Sequence, residues 1–197
     1  MTTYFCMRHG MTEWNRERRI QGNTDVPLCD EGRAMARNWA ESLGGGGLDC
    51  ILTSSLSRAR ETADLINETL GVPVFEDERL CEQDWGRWTG LTKDELKEMR
   101  KEVRRQEYQG FGFRPDGGES RDEVLFRACD ALIEFSEEHS GESVLVVTHN
   151  GVLKCLAHAL SGSDFMPDDT VEYLPYRLHR IECVENELAL GELNMEL

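Results

Sequence analysis

Ser143-Val144-Leu145-Val146-Val147-Thr148, followed at once by His149-Asn150-Gly151, is the stretch that decides the fold. The run shows no alternation of polar and apolar side chains, so it reads as a central strand covered on both faces. A histidine placed directly after such a strand is delivered to the end of a sheet, where the chain leaves the core. Val152 to Leu160 then carries a helical pattern. Strand, polar tip, helix is the unit to look for elsewhere.

The chain opens with the same unit. Thr3 to Met7 is a short apolar run ending in Arg8-His9-Gly10, which reads as a buried strand with a polar tip. Asp30 reads as the N-cap of a helix with Ala34, Ala36, Trp39, Ala40 and Leu43, stopped at Gly44 to Gly47. A third unit has a strand at Cys50 to Thr53, a tip at Ser54 to Arg58, and a helix from about Ser57 to Leu70 ended by Gly71. A short strand near Val72 to Phe75 follows. Leu91 to Gln109 contains a charge-rich helix, and Phe111 to Ser120 has the glycine and proline content of a loop. Ser120 and Glu123 form a capping box for a helix with Val124, Ala128, Leu132 and Phe135 on its apolar side. Two last runs, around Leu178 to Val184 and Leu188 to Leu193, make a hairpin across Glu185-Asn186.

This alternation predicts an α/β protein: a three-layer α/β/α sandwich with a mainly parallel central sheet. With 197 residues we expect one domain over 1–197, carrying a small lid-like insertion at about 77–120. Ligands bind beyond the carboxyl ends of strands in such sheets. The tips at Arg8-His9, Ser54 to Arg58 and His149 therefore converge on one pocket.

The formal charge of −16, from 38 acidic and 22 basic residues, repels nucleic acid and anionic membranes. A pocket for an anion on such a protein has to be a local concentration of arginine. Seven scattered cysteines with no CxxC pair read as reduced thiols, mostly in the core. With no leader-like or spanning apolar run, the cytoplasm is the expected location.

Arg8 and Arg58 offer bidentate donors that match phosphate geometry. His9 and His149 offer one nucleophile and one further donor; attack by a neutral imidazole nitrogen splits a hard hydrolysis into two easier steps. Gly10 is expected to let the backbone approach the phosphate closely. Two arginines beside the histidines disfavour a zinc ion, so neither metal nor cofactor is expected. His139, His158 and His179 have no motif context and read as structural or exposed.

Taken together, Arg8-His9-Gly10-x-Thr12-x-x-Asn15, Gln21-Gly22-x-x-Asp25-x-Pro27-Leu28 and Thr53-Ser54-x-Leu56-x-Arg58-Ala59-x-x-Thr62-Ala63 resemble the histidine phosphatase superfamily, the clan that includes cofactor-dependent phosphoglycerate mutases. The likeness continues through Leu80-x-Glu82, Trp85-Gly86-x-Trp88-x-Gly90-Leu91, Pro115 to Ser120 and Val147-Thr148-His149. It implies that His9 accepts the phosphoryl group while Arg8, Arg58, His149 and Asn15 bind its oxygens, with Gln21 and Gly22 also in the binding set. It implies further that Glu82 protonates the leaving alkoxide and later activates water. The chain departs from the family at Asn150, where glycine is common after the second histidine.

The resemblance leaves three readings. A phosphatase acting on a small phosphate ester suits the compact layout, with 66 residues between Glu82 and His149. A mutase would be expected to have a longer insertion and an extended tail, although Arg104-Arg105 could stand in for the arginine pair with which mutases hold a carboxylate. A silent phospho-ligand binder would lack part of the set His9, Arg8, Arg58, Glu82 and His149, all of which are present. Trp85, Trp88, Tyr108, Phe111 and Phe113 either line a lid over the leaving group or simply pack. The identity of the ester and the oligomeric state, a homodimer among the options, stay open.

Overall fold

The computed structural model describes residues 1–197. Its centre is β4 (Ser143–Thr148), which pairs in parallel with β1 (Thr2–Arg8) on one side and with β2 (Cys50–Thr53) on the other. Beyond β2 lies β3 (Val74–Glu76), also parallel; beyond β1 lie the antiparallel strands β5 (His179–Val184) and β6 (Glu187–Leu190), giving the order β3-β2-β4-β1-β5-β6. Four parallel strands with an antiparallel edge make the expected mainly parallel sheet.

The unbroken apolar run of β4 has its reason in the layers. Val144 and Val146 enter one core cluster with Tyr4, Cys6 and Leu52; Leu145 and Val147 enter the other with Met7 and Ile51. On the first face pack α6 (Arg121–Glu138) and α7 (Asn150–Leu160), through Val124, Leu132, Val152 and Leu156. On the second pack α2 (Asp30–Leu43) and α3 (Ser57–Leu70), through Ala36, Trp39, Ala59, Ala63 and Ile66. This is the three-layer sandwich.

Local chemistry sets the boundaries. The Ser120 hydroxyl accepts the Glu123 amide and the Glu123 carboxylate accepts the Ser120 amide, the predicted capping box. Gly71 ends α3 in the left-handed region at φ 64°. Glu185 and Asn186, at φ 50° and 64°, supply the left-handed pair of a tight hairpin turn.

Four expectations need correction. Asp30 is the first helical residue rather than the cap: Cys29 holds that position, tied by its amide to Met11 O, while the Asp30 carboxylate pairs with Arg33. β3 starts at Val74 because the Asn67 side chain binds both the amide and the carbonyl of Val72 and keeps it on the end of α3. The second strand of the hairpin ends at Leu190. The charge-rich helix of 91–109 is two, α4 (Lys93–Glu98) opened by its own Thr92/Glu95 capping box and α5 (Arg100–Glu107), broken at Met99. These two helices and three single 3-10 turns occupy the segment between β3 and α6, and a four-residue helix α1 (Glu13–Arg16) follows the first tip. No helix is long and apolar enough to cross a membrane.

Candidate active site

β1 and β4 run side by side and in register, Arg8 opposite Thr148, so their next residues, His9 and His149, emerge together. The two imidazole rings lie 5.1 Å apart, centroid to centroid. Both are buried. β2 brings the third tip beside them: the Ser54 hydroxyl shares a 2.8 Å hydrogen bond with His149 Nε2, and Arg58, in the first turn of α3, donates from Nε to His9 Nε2 at 3.2 Å.

The environment of His9 settles which of its nitrogens is free to react. Nδ1 lies 2.6 Å from the Gly10 carbonyl, which can only accept, so the ring proton sits on Nδ1 and the lone pair on Nε2. Burial pulls the His9 pKa well below the ordinary histidine value, and the Arg8 and Arg58 charges pull the same way. His149 is held low by burial, then by Arg58, His9 and Arg8. Both rings are neutral at physiological pH. Neutral is the nucleophilic form.

Arg58 is fully buried yet fully held. Its terminal nitrogens donate to the carbonyls of Gly22 and Thr24, each at 2.8 Å, so the 21–25 loop aims the guanidinium at His9. Thr62 ties the assembly together by accepting the Gly10 amide and donating to Arg58 O. Arg8 is different: its Nε is buried with no partner, and its guanidinium lies 5.2 Å from the Tyr176 ring centroid. His149 Nδ1 is likewise buried and unpartnered. An arginine and an imidazole with unused polar capacity, close to His9 and Arg58 at one end of the sheet, are suited to an anion.

Glu82 stands at the start of α7. Its carboxylate accepts the Gly151 amide through both oxygens at 3.1 Å and the Gln83 amide at 2.9 Å. Arg127 anchors that stretch from α6, donating to the carbonyls of Arg79 and Glu82 while gripping Glu119. Glu82 also lines a cavity of about 320 Å³ walled by Trp85, Trp88, Phe113 and Phe165. Phe113 packs edge to face on both Trp85 and Trp88 within that wall.

The structure thus brings His9, His149, Arg58, Arg8 and Glu82 to one end of the sheet. Asn15 and Gln21 meet through Thr12, the N-cap of α1: the Asn15 side-chain oxygen accepts from the Thr12 amide, and the side-chain oxygens of Asn15 and Gln21 both lie within hydrogen-bond reach of the Thr12 hydroxyl. Gly22 serves through its carbonyl on Arg58. Gly10 meets a packing constraint of its own, since a Cβ there would run into the Gly32 carbonyl at the start of α2. Of the aromatic set, Phe111 packs on Phe165 and Tyr108 is exposed. His139 stacks on Phe135, His158 on Phe165, and His179 on Tyr173. Arg127, Tyr176 and Lys154 escaped the sequence reading, because each reaches the site through contacts between distant segments that no local pattern announces.

A doubly wound sheet with twin histidines and arginines at its strand ends defines an enzyme built to hold a phosphoryl group. Residues 4–196 match the histidine phosphatase superfamily, branch 1, and the chain belongs to that family. It is 32% identical over 196 residues to the uncharacterized phosphatase PhoE of Bacillus subtilis, covering 99% of this chain and 95% of that one. It is 39% identical over 158 residues to phosphoglycerate mutase-like protein 4 of Arabidopsis thaliana, covering 76% and 67%. Among solved structures, a mycobacterial glucosyl-3-phosphoglycerate phosphatase bound to VO3 superposes with a TM-score of 0.86 at 27% identity, covering 98% of this chain and 99% of that one. With these relatives the chain is a phosphatase of the superfamily, and mutase-like proteins are among its homologues.

Proposed function

We propose that the chain hydrolyses a small phosphate monoester through a phosphohistidine formed at His9 Nε2. The observation that carries this reading is the orientation of His9: Nδ1 is committed to the Gly10 carbonyl, burial keeps the ring neutral, and Nε2 points to Arg58. Arg8, Arg58, Asn15 and His149 bind the phosphoryl oxygens. As the Nε2–P bond forms, the ester P–O bond breaks and Glu82 gives its proton to the departing oxygen. Water then attacks phosphorus, Glu82 takes the water proton, and the electron pair of the P–N bond returns to Nε2.

No metal is needed in this scheme, because two guanidiniums already neutralise the phosphoryl charge. The cluster with metal-ligand geometry, Cys50, His139 and Glu142, lies by the amino ends of β2 and β4, at the far end of the sheet from the pocket. The seven free thiols suit a reducing compartment such as the cytoplasm. Hydrolysis is favoured over mutase chemistry by the lid. Arg105 is exposed and pairs with Glu102, and Arg104 lies over Tyr108, so the pair does not present one joint carboxylate clamp.

His9→Ala is the test. We expect turnover to vanish while inorganic phosphate still binds. Quenching the wild type early and assaying acid-labile phosphate should reveal phosphohistidine; label persisting in the variant would remove His9 from the nucleophile's role. Offering the labelled wild-type intermediate phosphoglycerate as well as water then separates hydrolase from mutase.

A further inference from the structure

The end of the sheet away from His9 gathers a different set of side chains. Cys50 opens β2, Glu142 directly precedes β4, and His139 closes α6. Their donor atoms, a thiol sulfur, a carboxylate oxygen and an imidazole nitrogen, all lie within 4.8 Å of one another. Glu142 is the hub: its Oε2 lies 2.9 Å from His139 Nδ1 and 3.5 Å from Cys50 Sγ. None of the three residues serves the phosphate pocket.

These donors are fixed by their surroundings. The turn that carries His139 and Glu142 is tied to β1: the Thr3 amide donates to Glu142 O at 2.9 Å, the Gly141 amide to Met1 O at 3.0 Å, and the Thr2 hydroxyl to His139 O at 2.9 Å. The His139 ring stacks on Phe135 at 3.9 Å and meets Phe75 edge to face at 4.9 Å, which sets its orientation. Charge is less well settled. Asp49 accepts the Ser143 amide at 2.8 Å, and Glu142 has only His139 as an ion-pair partner, so no lysine or arginine pairs with either carboxylate. Burial first, then Glu142 and Asp49, pushes the Cys50 thiol up to about 12. A thiol and two carboxylates gathered without a lysine or arginine favour a bound cation.

We propose that Cys50, His139 and Glu142 form a zinc site, with a solvent molecule as fourth ligand. Thiolate, imidazole and carboxylate are the donors zinc takes, and at bond lengths of about 2.0–2.3 Å the ligand atoms of a tetrahedral ion stand roughly 3.5 Å apart. That spacing falls among the separations of this trio. On binding, the Cys50 thiol releases its proton to solvent and Sγ bonds the ion. The His139 ring proton passes through solvent from Nδ1 to Nε2, which frees the Nδ1 lone pair, and Glu142 exchanges its two hydrogen bonds for a bond to zinc. Thiolate and carboxylate together cancel the charge of the ion. The site clips the end of α6 to β2 and β4, so it serves the fold and takes no part in the reaction at the opposite end of the sheet.

Cobalt reads the site, because a thiolate bound to Co²⁺ gives a charge-transfer band in the near ultraviolet. The chelator-treated full chain is titrated with Co²⁺ and then with Zn²⁺. We expect the band to saturate at one Co²⁺ per chain and to vanish as Zn²⁺ displaces it. Cys50→Ser should abolish the band, whereas Cys129→Ser and His9→Ala should keep it, which separates this site from other thiols and from the pocket histidines. His139→Gln and Glu142→Gln should each weaken Zn²⁺ about tenfold or more, since even the partners behind a ligand are worth about 10–100-fold. Saturating Zn²⁺ should raise the melting temperature of the wild type and leave that of Glu142→Gln in place. The Glu142 variant alters a partly exposed side chain and carries the test if Cys50→Ser fails to fold. No band in the wild type, a band that survives in Cys50→Ser, or Zn²⁺ affinity unchanged in Glu142→Gln would overturn the site.

Discussion

The strand-end pocket and the aromatic cavity meet at Glu82, yet they are built by opposite means. The pocket is assembled from strand ends, and its parts are fixed by backbone: Gly10 O orients His9, Gly22 O and Thr24 O orient Arg58, and neighbouring parallel strands set the spacing of the two histidines. The cavity is assembled from side chains of the segment between β3 and α6, facing α7 and the residues after it. Hydrogen bonds to backbone are hard to vary one residue at a time, whereas a wall of aromatic and charged side chains changes with each substitution. On the proposed reading, chemistry belongs to the first region.

The largest effect short of removing His9 is expected at the seam. Glu82→Gln should slow phosphorylation of His9 by alkyl esters about 10²–10⁴-fold, the usual contribution of a general acid. An aryl ester with an acidic phenol needs little protonation and should lose far less. Pre-steady-state phosphorylation is the measurement, since Glu82 also serves the water step. Equal losses for both esters would mean that Glu82 belongs to the cavity, as a positioning group, and another residue is the acid.

Smaller is the response to pH. His9 and His149 are held low in the folded protein, chiefly by burial, while in the unfolded chain they titrate near 6.5. His179, held at about 4 by burial, adds to the same trend. Between the folded and unfolded values only the unfolded chain takes up these protons, so stability is lost as pH falls below about 6.5. The slope reaches about 1.4 kcal/mol per pH unit for each fully titrating histidine. Melting temperatures should therefore drop between pH 7 and 5, and saturating inorganic phosphate should offset the drop by favouring charged histidine in the pocket. A flat profile without phosphate would contradict neutral buried rings.

The smallest expected effect is none. Exhaustive treatment with a chelator should leave the rate with both alkyl and aryl esters unchanged, since the arginines already supply the positive charge. Activity lost to chelator and restored by one divalent ion would undo that part of the comparison.

The same division explains what could be read from sequence. The sheet was legible because β4 is covered on both faces and so has no polar alternation, and the tips were legible because each polar cluster directly follows an apolar run. The α4–α5 break was not, since Met99 leaves the apolar pattern intact while ending one helix and opening the next. Arg127 and Tyr176 were not, because what matters is where α6 and the residues before β5 come to lie. Tyr176 meets Arg8, at the other end of the chain, and stacks on Trp39. The Gly32 carbonyl that bars a Cβ at Gly10 is a packing fact visible only once α2 is in place.

One contact binds the two regions more tightly than the rest. The Glu82 carboxylate rests on the Gly151 amide, and a Cβ at position 151 would fall on a carboxylate oxygen. Positions 82 and 151, 69 residues apart, are therefore coupled through space: a side chain at 151 would push the Glu82 carboxylate off the amide that holds it.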